Sequence, residues 1–193
     1  MFTCDLKKIK AAANAAAGKD DPRFALTNIY ISGNKVAATD SYILLETDSG
    51  CDNMGELGKN GYMFPAYIFA KAKVYANKPN QVTFELMQEC KNGEIIFKVL
   101  FNGIEQIVTA YDGDAFPKYQ RLFDDFNKNF EAILQQNYTL ETIEKAIKCL
   151  SIIAGNKKEK IEVKYNGEDR PCVFALRNQD RDTRCLVMPA TTK

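Results

Sequence analysis

The sequence predicts an α+β fold built on antiparallel sheet, and three observations predict it. Apolar residues recur at helical spacing in three separate runs. Each run is followed by short strands joined by hairpin-type turns. No apolar run approaches the roughly 20 residues that a membrane span needs. Strands linked by tight turns rather than by helical crossovers pair antiparallel. The chain therefore reads as three similar units, each a short strand, a helix and several strands.

The first unit opens with FTCD and a helical run from Leu6 to Ala17. Leu6, Ile9, Ala13 and Ala16 share one stripe of that helix, Lys7 and Lys10 lie on another face, and Gly18 is the expected stop. Strands are expected over Leu26–Ile31 and Lys35–Thr47, around a Ser32-Gly33-Asn34 turn. A linker rich in Gly, Asp and Asn covers 48–60.

The second unit opens with GYMF, and Pro65 suits the first turn of a helix running to about Asn77. Strands are expected at Gln81–Cys90, Glu94–Asn102 and Glu105–Tyr111, with turns at Lys91-Asn92-Gly93 and Asn102-Gly103. The third unit begins near Phe130. Thr139 is placed to cap a helix over Leu140–Ile153, with Leu140, Ile143, Ile147 and Leu150 as its buried stripe and Gly155-Asn156 as its end. Strands follow at Lys160–Tyr165, Cys172–Arg177 and Arg184–Met188.

Composition narrows the function classes. The 193 residues are 46% hydrophobic and 26% charged, enough for a real core. The start MFTCDLKKIK lacks the apolar stretch of a signal peptide, so a cytoplasmic protein is expected. The six cysteines contain no CxxC pair and are expected to be free, mostly buried thiols. There is no histidine, which removes Ser-His-Asp and Cys-His catalysis and the commonest metal ligand. The acidic pairs Asp20-Asp21, Asp112-x-Asp114, Asp124-Asp125 and Asp180-x-Asp182 fall in turns, where Asp serves local hydrogen bonding. Neither GxxxxGK nor GxGxxG occurs. No catalytic residue, metal or cofactor is therefore assigned. A net charge of +1 leaves nucleic-acid binding to segregated charge.

Three segments carry a family resemblance: VAATDSYILL at Val36–Leu45, FPKYQRLF at Phe116–Phe123, and CLVMPA at Cys185–Ala190. In this order they resemble conserved segments of the bacterial sliding clamp, the β subunit of DNA polymerase III. DPRFALTNIYI (Asp21–Ile31) and FPAYIFAKA (Phe64–Ala72) extend the likeness. Residues 1–123 are similar to one complete clamp domain, the middle one, and residues 124–193 to the second half of the last. The resemblance implies a sliding-clamp-like fold of about one and a half clamp domains, at about half the family's usual length.

By position, the resemblance places the family's peptide groove at Leu26, Thr39, Leu44, Pro117, Leu122, Leu186 and Met188. Extended peptides need apolar walls, and methionine suits varied sequences. The same side chains would also fit a plain core, where most apolar residues go. After VMP the chain reads Ala-Thr-Thr-Lys, where the family has a further Met, a basic residue and an aliphatic one. The resemblance also implies helices that face the phosphates of double-stranded DNA through Lys7, Lys10, Lys71, Lys73, Lys145 and Lys148, without reading bases. A lysine on a helix is otherwise a solvated face.

The implied function is a non-enzymatic processivity factor for DNA replication that binds peptides of polymerases or repair proteins. As a homo-oligomer of four chains it would supply the twelve helix-bearing units of the family's rings and encircle DNA. The alternative is a monomeric or dimeric adaptor or competitor that captures the same peptides without enclosing DNA. A hydrolase or nuclease using the acidic turns is a third reading, opposed by the missing histidines.

Overall fold

A computed structural model describes residues 1–51, 60–75, 79–90, 93–128, 137–155, 159–165, 170–176 and 183–190, with side chains omitted at 126–128. The expected turn residues 91–92, Asn156, and the Asp180-x-Asp182 pair lie outside this set.

The strands are β1 (Phe2–Asp5), β2 (Asn28–Ser32), β3 (Lys35–Thr39), β4 (Ile43–Asp48), β5 (Tyr62–Pro65), β6 (Gln81–Glu89), β7 (Glu94–Phe101), β8 (Ile104–Asp112), β9 (Ile161–Lys164), β10 (Cys172–Leu176) and β11 (Arg184–Val187). The helices are α1 (Leu6–Ala15), α2 (Tyr67–Ala70), α3 (Gln120–Lys128) and α4 (Leu140–Ala154). All strands join one antiparallel sheet in the order β1-β6-β7-β8-β5-β2-β3-β4-β11-β10-β9.

Side chains alternate across this sheet, so each face carries its own core. Val36, Ala38, Ile43 and Leu45 belong to the larger core, covered by α1, α2 and α4. Ala37, Leu44, Met63, Val173 and Leu186 belong to the smaller one on the other face, with Phe116, Tyr119 and Phe123. The larger core is anchored by an aromatic block. Phe97 is fully buried and meets Phe64 and Tyr62, each with ring centres 5.1 Å away, while Phe2 stacks on Phe84 at 4.7 Å.

Several boundaries differ from expectation, each for a local reason. Asp5 caps α1 by accepting from the Lys7 amide at 2.7 Å, but the helix ends before Gly18 because the Ala17 amide turns to the Leu26 carbonyl. Phe24–Thr27 forms a 3₁₀ turn rather than strand, since Thr27 and Asn28 side chains both donate to the Phe24 carbonyl. The expected strand over 35–47 breaks at Asp40, whose carboxylate accepts from the Tyr42 and Ile43 amides at 2.8 and 2.9 Å, with Ser41 at φ +83°. The helix expected from Pro65 to Asn77 is a single turn, Tyr67–Ala70. The Asn80 side chain binds both backbone groups of Tyr75 and holds that stretch as a loop.

The expected buried stripe of α4 is rotated. Ala146, Cys149, Leu150 and Ile153 are buried, while Leu140 is 88% and Ile147 41% exposed. α4 packs on alanine-rich α1, and small residues let the two helices approach. Thr139 caps α4 as expected, and Gly155 ends it at φ +72°, the left-handed conformation glycine adopts most readily.

One cysteine expectation is overturned. Cys4 and Cys51 form a disulfide, with Cα atoms 4.1 Å apart. β1 runs beside the end of the β4 hairpin, where the Asp5 amide donates to the Ser49 carbonyl at 3.0 Å, and this apposition spans 47 residues of sequence. Cys149, Cys172 and Cys185 are free and buried, and Cys90 is free and half-buried. Burial pushes the Cys149 thiol up to about 12 and Cys172 up to about 11, so neither is a reactive nucleophile at neutral pH.

Candidate functional site

The far end of the chain meets the first unit along β4 and β11. Their register pairs Leu44 with Leu186 and Glu46 with Arg184, and β3 pairs Thr39 with Leu44. Thr39, Leu44 and Leu186 thus form a row across three strands. Beyond β11 the Met188 amide donates to the Tyr42 carbonyl at 2.9 Å, and the Ala190 amide donates to Asn137 at 2.9 Å. These bonds fix the tail against the β3–β4 turn and against the segment entering α4.

A cleft of about 570 Å³ opens there. One wall is Met188, Pro189 and Ala190, another the turn Asp40–Ile43, and the third the start of α4 through Thr139, Glu141, Thr142 and Lys145. Tyr42 and Met188 offer apolar surface, 65% and 38% exposed. Lys145 crosses the back of the cleft, donating to the Asp40 carboxylate at 2.5 Å and to the Ala16 carbonyl at 3.2 Å. The result is an apolar rim beside backbone and hydroxyl groups, a combination suited to an extended peptide.

The seven positions of the groove expectation differ in exposure. Thr39, Leu44 and Leu186 are buried with Leu26, whereas Met188, Leu122 and Pro117 are exposed. Leu44 and Leu186 lie under α3, in one cluster with Tyr119 and Phe123. Pro117 lines a separate hollow of about 210 Å³ with Tyr30, Asn60 and Phe116. The resemblance supplied the row of residues but not this roof. A helix over Gln120–Lys128 went unassigned, although Tyr119 and Phe123 stand one helical turn apart, a detectable signal. Tyr42, Thr142, Pro189 and Ala190 were also missed as cleft residues; the turn chemistry of Asp-Ser-Tyr was the available cue.

A charged cluster holds the roof down. Glu46, 4% exposed, pairs with Arg184, whose guanidinium lies 4.1 Å from the Phe123 ring centre. Burial and the hydrogen bond from Tyr119 to Glu46 push the Tyr119 phenol well above its ordinary value, so it stays protonated. Replacing Glu46 with alanine strands Arg184 and Tyr119 without a partner. Chemical denaturation should show a loss of about 2 kcal/mol, between the values for exposed and fully buried pairs.

The lysines divide into two groups. Lys10 donates to the Ala72 carbonyl at 2.7 Å, which sets exposed Lys71 and Lys73 beside α1. Lys10 and Lys148 line one depression of about 500 Å³ with Glu144 and Ile147, and the Lys7 ammonium approaches Gly155 at the end of α4. Lys7, Lys10, Lys71, Lys73 and Lys148 therefore gather around the α1–α4 face. Lys145 is directed to Asp40. Among the described residues no three acidic or cysteine groups converge as metal ligands, and no helix is long and apolar enough to cross a membrane.

No protein-family model matches the sequence, and no curated protein does. Solved structures match throughout the chain. The DNA polymerase III β subunit of Thermotoga maritima superposes with a TM-score of 0.63 at 13% identity, covering 100% of this chain and 65% of that one. The DNA polymerase sliding clamp of Bacillus subtilis gives 0.61 at 14% identity, covering 100% and 64%. This chain has the sliding-clamp fold. A third clamp, from Pseudomonas aeruginosa and bound to griselimycin, gives 0.59 at 11% identity, covering 100% and 66%. The chain thus matches part of each clamp, consistent with the partial clamp that the sequence resemblance implied. That part is below two thirds of the first of them, 65%.

Proposed function

We propose that this chain is a non-catalytic, sliding-clamp-like protein of DNA replication or repair, acting in the cytoplasm. It binds short peptides of polymerases or repair proteins in the cleft between the Asp40–Ile43 turn, the start of α4 and Met188–Ala190. The observation that carries this reading is the cleft itself: an open hollow of about 570 Å³ with an exposed methionine wall, at the strand junction of a clamp fold. Residues 1–123 and 124–193 act as a complete and a partial clamp domain that form it together. A short peptide with a glutamine and two hydrophobic residues, titrated by calorimetry, should bind with micromolar-scale strength, roughly −8 kcal/mol. No heat and no saturation with several such peptides would remove the proposal.

The lysine face supports a second, weaker contact, with duplex DNA. Five lysines around α1 and α4 meet phosphates without reading bases. Binding should be independent of sequence and fall steeply with salt. Changing Lys7, Lys10 and Lys71 to Glu should flatten the slope of affinity against salt by about one per lysine. An unchanged slope in filter binding would take DNA away from this face, and leave the reading of an adaptor that does not enclose DNA.

A further inference from the structure

We infer that the cleft selects peptides carrying a lysine or arginine beside their hydrophobic residues, and that Glu141 is the residue that selects them. The inference rests on the reading of the cleft as a peptide site and names the ligand chemistry that this site takes. Three charged side chains among the described residues line the cleft: Asp40, Glu141 and Lys145. Asp40 is spent inside the protein. One of its oxygens accepts from the Tyr42 and Ile43 amides at 2.8 and 2.9 Å, and the other holds the Lys145 ammonium at 2.5 Å. Lys145 spends a second donor on the Ala16 carbonyl at 3.2 Å. Arg23, behind the same turn, is matched as well. It donates to the Ser41 hydroxyl at 2.6 Å and grips the Asp21 carboxylate at 2.9 and 2.7 Å. Each of these two cations therefore meets an arriving peptide already neutralised by an acid of the chain.

Glu141 is different: it is exposed on the cleft wall, in the first turn of α4. Four residues separate it from Lys145, the spacing at which a glutamate and a lysine pair on a helix surface. Here the Lys145 ammonium reaches instead to Asp40 and Ala16, on other elements. The cap of α4 is made by hydroxyls: the Thr142 amide donates to Thr139 Oγ1 at 3.2 Å, and the two threonine hydroxyls bond at 2.6 Å. The positive end of the helix dipole makes this first turn a favourable place for a carboxylate. Glu141 also stands on a different wall from Met188. A peptide that turns its hydrophobic residues to Met188 and Tyr42 can present a neighbouring side chain to the carboxylate. A basic side chain there is attracted and an acidic one repelled. The pair faces water, so each step of charge is worth about threefold in affinity, and salt screens it.

The test uses peptides with a glutamine and two hydrophobic residues, identical except for Lys, Ala or Glu at one flank, and a second set varied at the other flank. Calorimetry on the native chain should rank them Lys, Ala, Glu at one of the flanks, with about tenfold between the extremes at low salt. Salt at about 0.5 M should compress that spread to about twofold. Glu141→Gln should bring the three peptides within about twofold of one another at low salt, and Glu141→Lys should reverse their order. The variants should melt close to the native chain, because Glu141 is at the surface. Equal binding of the three peptides at both flanks overturns the inference, as does a charge preference that survives Glu141→Gln. The cleft reading is judged separately, by the Ala-flanked peptide: binding that Met188→Asp removes upholds it whatever the flank does. Binding of none of the peptides overturns both.

Discussion

Met188→Asp should weaken binding of a clamp-type peptide by about 100-fold, equivalent to about 2.7 kcal/mol, while the protein folds normally. Met188 stands 38% exposed on the wall of the cleft, and its own amide is already committed to the Tyr42 carbonyl. The side chain can therefore change without disturbing the backbone that shapes the site. A carboxylate there must lose hydration when a hydrophobic peptide residue arrives, and Lys145, the cation among the described residues that line the cleft, is held by Asp40. Methionine also adapts to differently shaped ligands, so Met188→Leu should keep most of the affinity for one peptide and lose range across several. Calorimetry on the three proteins checks this, and equal affinity for the native chain and Met188→Asp would place the peptide elsewhere.

Phe97→Ala should lower the free energy of unfolding by about 4 kcal/mol, the largest effect expected of any single change discussed. Phe97 is fully buried at the centre of the aromatic block, with Phe2 at 6.2 Å edge-on and Phe64 and Tyr62 both at 5.1 Å. Those neighbours sit on β1 and β5, so the ring ties three strands together, and the rigid sheet around it cannot collapse to fill the void. Denaturant titration should show the lower midpoint with little change in slope. The cleft lies in the other half of the sheet, so peptide affinity of the folded variant should be unchanged. A loss of less than about 1 kcal/mol would mean that the block repacks around the hole.

The α+β class and the hairpins were legible because their signals are local. The Ser32-Gly33-Asn34 and Asn102-Gly103 turns, the capping of α4 by Thr139 and its stop at Gly155 all depend on residues a few positions apart. The short α2 was not legible, because the Asn80 side chain that holds Tyr75 outside a helix acts from beyond the periodic run. Nor was the Cys4–Cys51 bond, which depends on where β1 runs beside the β4 hairpin. The phase of α4 differs from expectation because the small Ala146 and Cys149 share its buried face with Leu150 and Ile153, while larger Leu140 and Ile147 stay out. For the site, the resemblance placed Thr39, Leu44, Leu186 and Met188 in one neighbourhood, and the strand register joins the first three. What a position match cannot carry is exposure. Whether Leu44 lines a groove or lies under Tyr119 and Phe123 depends on where α3 packs.

Mapping backbone amide resonances during a peptide titration would locate a bound peptide at the cleft beside Met188 residue by residue. Saturable shifts are expected at Tyr42 and Ile43, at Thr139–Lys145 and at Met188 and Ala190, with β6–β8 silent. Shifts centred on another face, or none at peptide concentrations up to about 1 mM, would contradict a peptide site there.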